Sequence, residues 1–495
     1  MKGKFLRRAL ALILAAMAAV SATACGLAGN AEYIERTRGK ETEKSESAFG
    51  LKEIPKGSHI DASGGFAQAH DAFTTTLKRE ENDDYTVPEP PEGVFDLVTY
   101  PSEVGDLAAY VSVDPEDGKK HPLIIWVVGG WGNGIDDFPF TYPEWDNDQT
   151  GSVFWQNGIL TMYPSFRGGN GNPGYYEALF GEVDDIVSAY EYAVSLPYVD
   201  SERIYLGGHS TGGTRALLAS EYTDKFRAVF CFGAVDEIKY HNNSQFTFDT
   251  KNKDEYIMRS PIYWLDNIKS PTFLIEGRDG NSENLERMER SYQSDALHYF
   301  VVENADHFSV LAPATKVVAE KILADTDAEV NINISQSELD EAMKQGRTEL
   351  PAPVMTGRYI EELGLTFSCP YIWEVMYNEE GDGFDIYSRY EEPNAWDMAG
   401  FYITVYQSRD GGMQYLKEDM ESEGYEVSET TISGKPAVDG VAVLRDDNGD
   451  GYYQRYIFLE NGEMYVVFEF IIYEEYAEEV KPVFQDIVDS IVFDA

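Results

Sequence analysis

Residues 207–213, Gly-Gly-His-Ser-Thr-Gly-Gly, place a serine within a run of glycines. The apolar segment 204–206 before them has the pattern of a strand, and a helical pattern begins at Thr211. Glycines on both sides allow a tight turn, and the serine then lies at the positive end of the helix dipole. A hydroxyl is a poor nucleophile until a base removes its proton. Ser210 therefore predicts a nucleophile that requires a histidine and an orienting carboxylate from elsewhere in the chain.

The pattern Gly-x-Ser-x-Gly between a strand and a helix is the nucleophile elbow of α/β-hydrolases, in which the acid and then the histidine follow the serine. Three histidines follow Ser210: His241, His298 and His307. His307 comes directly after the predicted strand 299–302, in a loop that leads into a helix, where the base is expected. His241 precedes the expected acid, and His298 at the start of a strand suits a core or edge role. We therefore predict His307 as the base.

The orienting acid is expected one strand earlier in the chain than the histidine. It should lie in the loop that follows the strand before 299–302. The predicted strand Thr272–Ile275 is followed by Glu-Gly-Arg-Asp-Gly at 276–280. Asp279, in the loop after the first of these glycines, is the predicted acid. The alternatives are Glu276 and Asp236, of which Asp236 follows the predicted strand Ala228–Phe232.

A hydrolase of this kind also needs backbone donors for the oxyanion that forms in the transition state. One donor is the N–H of Thr211, the residue after the nucleophile. The apolar strand Leu123–Val128 is followed by Gly-Gly-Trp-Gly-Asn-Gly at 129–134, where backbone can approach a substrate closely. The N–H of Gly130 or Trp131 is predicted as the second donor. The spacing is not that of a dinucleotide-binding loop, and no cofactor is expected.

The elements that must position these residues alternate between strand and helix patterns over residues 94–325, which predicts an α/β fold with a mostly parallel sheet. The predicted strands are Phe95–Tyr100, Leu107–Val113, Leu123–Val128, Ile159–Tyr163, Ile204–Leu206, Ala228–Phe232, Thr272–Ile275 and Tyr299–Val302. The predicted helices are Glu177–Ser195, Thr211–Glu221, Ser282–Tyr292 and Ala312–Leu323.

The remaining chain divides by composition. Residues 25–93 are predicted as a tether and N-terminal extension, and the polar residues 326–353 as a linker with a short helix at 337–345. Residues 354–495 contain strand patterns separated by turns, at Gly364–Ser368, Gly400–Gln407, Ala437–Leu444, Tyr452–Glu460 and Glu463–Ile472, with helix patterns at Gly412–Glu423 and Tyr476–Ser490. They predict a smaller α+β domain built on an antiparallel sheet.

Residues 1–24 combine a basic start, a short apolar run and small residues, which is typical of a secretory signal peptide. Cys25 follows directly, as in a bacterial lipoprotein signal, so we predict lipidation of Cys25 and an exported protein on the outer face of the cell membrane. Simple secretion after an ordinary signal-peptidase cut is the alternative. The sequence has three cysteines and no CxxC pair, which excludes a disulfide scaffold and a Cys-ligated zinc site, and no metal is expected.

The formal net charge is −48, with 87 acidic against 39 basic residues. So negative a protein repels phosphate backbones and anionic lipid headgroups. Nucleic-acid binding is therefore not expected, and membrane attachment is expected through the lipid anchor alone.

Residues 95–325 resemble the catalytic domain of the prolyl oligopeptidase family. The resemblance is carried by Tyr-Pro-Ser-Phe-Arg-Gly-Gly at 163–169, Gly-Glu-Val-Asp-Asp at 181–185, and the segment 196–204 that leads into the elbow. It implies the α/β-hydrolase fold and the triad Ser210, Asp279 and His307. The C-terminal unit resembles, more faintly, the PsbP-like family of small exported domains, through segments 365–370, 432–437 and 484–491. That resemblance implies a non-catalytic role, with cell-wall contact as one expectation.

The sequence departs from the family pattern at Thr211, where an aromatic residue is usual, and at Val128, where a histidine is usual. The region before residue 94 is too short for the β-propeller that restricts prolyl oligopeptidases to short peptides. Peptidase specificity is therefore not implied, and the predicted substrate is a small ester or peptide. The alternative, motivated by Trp131 and Thr211, is a catalytically degenerate hydrolase that acts as a surface binding protein.

Overall fold

The computed structural model describes residues 50–140, 147–240, 243–345, 354–378, 383–388, 399–407, 412–445, 449–462 and 464–494. The predicted signal peptide, Cys25 and the first part of the tether lie outside these residues, and so does His241.

Eight strands form the sheet of the catalytic region: β1 Phe95–Ser102, β2 Gly105–Ser112, β3 His121–Val127, β4 Leu160–Pro164, β5 Val199–His209, β6 Val229–Phe232, β7 Thr272–Gly277 and β8 Leu297–Val302. Their order is β1-β2-β4-β3-β5-β6-β7-β8. β2 pairs antiparallel with both β1 and β4, and all other neighbours are parallel. This is the α/β-hydrolase topology, so the predicted fold is confirmed.

The helices around this sheet are α1 Gly65–Ala72, α2 Ser152–Gln156, α3 Glu182–Ser195, α4 Thr211–Tyr222, α5 Lys253–Ile257, α6 Ser282–Ser291, α7 Leu311–Ala324 and α8 Gln336–Gln345. The predicted start of α3 at Glu177 is wrong. Ala178 and Leu179 have positive φ values of 54° and 75°, which a right-handed helix does not accommodate, so α3 begins at Glu182.

The sheet is covered on both faces, which explains why β3 is apolar throughout. Leu123, Ile125 and Val127 belong to one apolar cluster together with residues of α4. Ile124 and Trp126, which alternate with them along β3, belong to a second cluster together with residues of α7. The two helices therefore pack on opposite faces of the sheet.

Segments outside the predicted catalytic domain contribute to these clusters. Phe66 of α1, in the N-terminal extension, is fully buried in the first cluster. Ile334 and Leu339, in the predicted polar linker, belong to the second. Both segments are thus packed against the hydrolase fold.

The C-terminal region contains β9 Met355–Ile360, β10 Leu365–Pro370, β11 Trp373–Tyr377, β12 Gly383–Ser388, β13 Gly400–Gln407, α9 Gly412–Ser422, β14 Glu426–Ile432, β15 Lys435–Arg445, β16 Gly451–Asn461, β17 Met464–Tyr473, α10 Ala477–Asp489 and β18 Val492–Phe493. Seven strands form an antiparallel sheet in the order β11-β12-β13-β17-β16-β15-β14, and β18-β10-β9 form a smaller one. Val480, Phe484 and Ile487 of α10 are buried in its apolar core. The predicted antiparallel sheet with packed helices is confirmed.

In the part of the chain that the structure describes, no helix combines the length and the apolar character needed to cross a membrane.

Candidate active site

Ser210 occupies the sharp turn between β5 and α4. Its backbone has a φ of 58° and a ψ of −119°, a combination that residues other than glycine rarely adopt. Its N–H donates to the carbonyl of Phe232, at the end of β6, over 2.8 Å, which fixes the turn to the neighbouring strand. The structure thus concentrates backbone strain on the residue that the sequence predicts as the nucleophile.

The glycines around Ser210 are required by close backbone contacts. A β-carbon on Gly208 would lie 2.7 Å from the carbonyl carbon of Gly212. A β-carbon on Gly212 would lie 2.1 Å from the carbonyl oxygen of Val127, in β3. Real β-carbons do not approach backbone so closely, so the turn can be this tight only with glycine at both positions.

His307 lies in the loop between β8 and α7, and its side chain is 14% exposed. Its Nδ1 is 2.8 Å from Oε2 of Glu276, whose side chain is fully buried at the end of β7. Since an ionised carboxylate can only accept a hydrogen bond, Nδ1 carries the hydrogen and Nε2 keeps its lone pair. This is the tautomer that a general base requires.

The prediction that Asp279 orients the histidine is corrected by this pair. Oε1 of Glu276 accepts the N–H of Gly277 over 2.7 Å, so both oxygens of the buried carboxylate are bound. Asp279 lies beyond the end of β7 with an exposed side chain. A β-carbon on Gly280 would lie 2.5 Å from Oε1 of Glu276, so this glycine leaves room for the glutamate beneath the loop. We therefore assign the orienting carboxylate to Glu276, which the sequence had also allowed.

Asp236 and His298 are held by contacts that do not involve Ser210 or His307. The carboxylate of Asp236 is fully buried and forms an ion pair with Arg287, at 2.6 Å. The imidazole of His298 stacks on Phe273 at a centroid distance of 4.6 Å. Both side chains are thus accounted for by contacts within the fold.

Ser210 and His307 contact adjacent residues at the end of β6. The N–H of Ser210 binds Phe232 O, and the imidazole of His307 lies over the next residue, Gly233. A β-carbon on Gly233 would lie 2.3 Å from Cε1 of His307. Gly233 has a φ of 64°, in the left-handed region that favours glycine. This residue therefore makes room for the imidazole beside the nucleophile turn.

His209 directly precedes the nucleophile, and the sequence motif gave it no role. In the structure it contacts His307. Its Nε2 is 3.1 Å from the carbonyl oxygen of His307, and the two rings are 4.5 Å apart. Burial, followed by the electrostatic interaction with His307, lowers the pKa of His209 well below its ordinary value. His209 is therefore held neutral and can donate from Nε2 to the His307 backbone.

The predicted oxyanion loop lies directly against the nucleophile. A β-carbon on Gly129 would lie 3.2 Å from Cβ of Ser210. The hydroxyl of Thr211 donates to the carbonyl of Gly130, which has a φ of 98°. As the first residue of α4, Thr211 has an N–H without an acceptor inside the helix. The ring of Trp131 packs edge-on against Phe246.

Two further polar residues fix this loop. Arg215, buried in α4, donates to Oδ1 of Asn133 at 2.9 Å and to the carbonyl of Gly132 at 3.4 Å. Nδ2 of Asn133 donates to Oε1 of Glu182 at 2.9 Å and to the carbonyl of Arg167 at 2.8 Å. The sequence contained a signal for Arg215, because an arginine within an otherwise small and apolar stretch of helix needs buried partners.

The arrangement supplies a serine in a strained turn, a histidine with a bound carboxylate, and a glycine loop beside the serine. Such a set can activate a hydroxyl for attack on a carbonyl carbon. In the described residues, no group of three or more His, Cys, Asp or Glu side chains is arranged to hold a metal ion.

Residues 145–314 match the sequence model of the prolyl oligopeptidase family. The match includes the nucleophile turn, the loop of Glu276 and the loop of His307, so the resemblance carried by the sequence motifs is confirmed for this region. The C-terminal region lies outside the match.

The chain is also similar to individual proteins. The uncharacterized peptidase YtmA of Bacillus subtilis (strain 168) is 25% identical over 173 residues, which are 67% of its length and 30% of this chain. A puromycin-hydrolyzing peptidase of Mycobacterium tuberculosis is 20% identical with a TM-score of 0.39, covering 47% of this chain and 39% of that one. An acylaminoacyl peptidase of Pyrococcus horikoshii is 16% identical with a TM-score of 0.38, covering 50% and 44%. This chain thus spans less than half the length of either solved structure.

Proposed function

We propose that this protein is a serine hydrolase that cleaves an ester or peptide bond through an acyl-enzyme on Ser210. The observation that carries the proposal is the 2.8 Å hydrogen bond between His307 and the buried Glu276, next to a serine with a strained backbone. The family match over residues 145–314 supports the same reaction class.

In the first half of the reaction, Nε2 of His307 accepts the Ser210 proton while Oγ attacks the carbonyl carbon of the substrate. The N–H of Thr211, with that of Gly130 or Trp131, binds the oxyanion. The imidazolium then gives its proton to the leaving alcohol or amine, and the acyl group remains on the serine. In the second half, His307 takes a proton from water, which hydrolyses the acyl-enzyme and restores the free serine.

Glu276 has two functions in this scheme. It holds the imidazole in the tautomer with a free Nε2, and its negative charge stabilises the imidazolium that forms in both halves of the reaction. Because the carboxylate is buried, water does not screen this interaction as it would at the surface.

The test is covalent labelling of the full-length protein with a fluorophosphonate probe, which reacts with activated serines. We expect labelling of the wild type and none of Ser210→Ala. The matched control is Ser195→Ala, which removes a hydroxyl that donates to the carbonyl of Tyr192, and it should be labelled like the wild type. A folded wild-type protein that the probe does not label would contradict the proposal and favour a degenerate hydrolase acting as a binding protein.

We propose in addition that the enzyme is exported and anchored by a lipid on Cys25. The signal-like residues 1–24 and the strongly negative net charge of −48 support attachment through the lipid alone. Cys25→Ser should move the protein from the detergent-phase membrane fraction to the soluble exported fraction. A variant that stays in the membrane fraction would contradict the anchor.

A further inference from the structure

A cavity of about 430 Å³ opens between the N-terminal extension and the segment that precedes α5. It is lined by Lys78, Arg79, Phe246, Phe248, Asp249, Thr250 and Lys251. The backbone N–H groups of Lys78 and Arg79 both donate to the carbonyl of Thr247, at 2.7 and 3.2 Å. These bonds hold the extension in place, so the cavity is a built feature of the fold.

Phe246 connects this cavity with the candidate active site. Its ring is 5.8 Å from that of Trp131, which it meets edge to face. Trp131 follows Gly130, the residue bound by the Thr211 hydroxyl next to the nucleophile. Phe246 and Phe248 are buried and stacked at 4.9 Å. Trp131 thus links the glycine loop beside Ser210 to the aromatic floor of the cavity.

Three cationic side chains and one carboxylate line the cavity, in a protein whose net charge is −48. Lys78 pairs with Asp249 at 3.2 Å, so these two charges offset each other. Arg79 donates to the carbonyl groups of Ser244 and Phe246, which fix its guanidinium at the rim, and it pairs with Glu81 at 2.9 Å, so its charge is offset as well. Lys251 is exposed, and within the described residues no carboxylate lies within ion-pair distance of its ammonium group. Among the described residues that line the cavity, Lys251 thus carries the positive charge that no ion pair offsets.

We propose that this cavity is a substrate subsite for a carboxylate. The inference rests on the proposed function and narrows its substrate to esters or peptides that carry an acidic group near the bond that is cut. The surface of a strongly negative protein repels such a substrate, and Lys251 provides a local attraction at the rim of the cavity.

The kinetic test compares two esters that differ in one charge, p-nitrophenyl hydrogen glutarate and p-nitrophenyl valerate. We expect the wild type to prefer the anionic ester in kcat/KM. Lys251→Glu should lower the ratio of the two kcat/KM values about tenfold, because it replaces an attraction by a repulsion close to the carboxylate. The matched control is Lys269→Glu, since Lys269 is 75% exposed and precedes the amino end of β7, whereas Ser210 follows the carboxyl end of the parallel strand β5. It should leave the ratio unchanged.

A binding test separates this inference from the proposed function. In the Ser210→Ala background, calorimetry should find that glutaric acid monoanilide binds more tightly than valeranilide. Adding Lys251→Glu should lower the ratio of the two affinities about tenfold. Equal binding of the two anilides would overturn the carboxylate subsite even if the esters are hydrolysed. Conversely, a charge preference in binding without hydrolysis of either ester by the wild type would support the subsite and contradict the hydrolase.

Discussion

The Oε2 atom of Glu276 lies 2.8 Å from Nδ1 of His307, with the glutamate side chain fully buried. This pair determines which imidazole nitrogen is free. The negative charge of the proposed triad thus lies on a residue at the end of β7, where the N–H of Gly277 binds the other carboxylate oxygen. A strand end is more rigid than the loop in which the sequence located the acid.

Replacing the buried acid tests this assignment directly. We expect Glu276→Gln to lower kcat by about 10³- to 10⁴-fold, because an amide can donate to Nδ1 and favour the wrong tautomer. The measurement is kcat with p-nitrophenyl valerate, together with circular dichroism to verify the fold.

Asp279→Asn is the matched control, three residues further along the chain, in the loop that follows β7. Its side chain is exposed, and we expect kcat to stay within about twofold of the wild type, as for surface changes away from the reacting atoms. A large loss in Asp279→Asn with full activity in Glu276→Gln would return the role to the aspartate.

The hydroxyl of Thr211 is expected to position the oxyanion loop through its bond to the carbonyl of Gly130. Thr211→Val keeps the shape of the side chain but removes this bond, and a small shift of the loop weakens transition-state binding. We expect kcat to fall about tenfold with little change in KM. Thr211→Ser keeps the hydroxyl and should retain most of the activity; equal losses in both variants would assign the effect to packing.

The nucleophile turn should be sensitive to a single methyl group. A β-carbon on Gly212 would lie 2.1 Å from Val127 O, whereas one on Gly132 would meet nothing within 4 Å. We expect Gly212→Ala to lower the free energy of unfolding by about 3 kcal/mol or more, because the core strand must move. Gly132→Ala should change it by about 0.5 kcal/mol or less, as measured by urea unfolding.

Stability should depend on pH through His209. Its pKa is lowered well below the ordinary value by burial and by His307, while the unfolded chain protonates it near pH ~6.5. Below that pH the unfolded state binds more protons, so the free energy of unfolding falls as the solution is acidified, by up to about 1.4 kcal/mol per pH unit. We expect His209→Phe to lose less stability than the wild type between about pH 7.0 and 5.5. The same loss in both proteins would contradict this account.

The central features of the hydrolase fold could be predicted because each leaves a local pattern. β3 is a long apolar run since both of its faces are covered. The nucleophile turn needs glycine where backbones touch, and this requirement is visible at Gly208 and Gly212. Patterns of this kind depend on neighbouring residues in the chain, and the sequence contains them in full.

The choice of acid depended on geometry that the sequence does not contain. Glu276 and Asp279 are three positions apart, and both precede a glycine. Only the three-dimensional path of the loop decides which carboxylate is buried, and this path depends on the contact between Gly280 and the glutamate. Spacing within one loop therefore could not distinguish them.

Five C-terminal strands were not predicted, and four of them, β9, β11, β14 and β18, lie at the edges of their sheets, whereas β12 lies between β11 and β13. β14 has exposed side chains at most of its positions, so it lacks the apolar alternation that identifies a strand. Its structure depends on pairing with β15, from Glu426 with Val441 to Ile432 with Lys435. Tertiary pairing of this kind cannot be recognised from local composition.

The burial of Phe66 affects how the protein can be dissected. Its ring packs 5.2 Å from that of Trp264, and His70 of the same helix stacks on Phe180 at 4.2 Å. Cutting the chain at residue 94, where the hydrolase strands begin, would leave these aromatic surfaces facing water. It would also remove Lys78, which lines the cavity described above. The smallest fragment of the catalytic region that can be expected to fold by itself therefore begins upstream of Phe66, well before the first strand of its own fold.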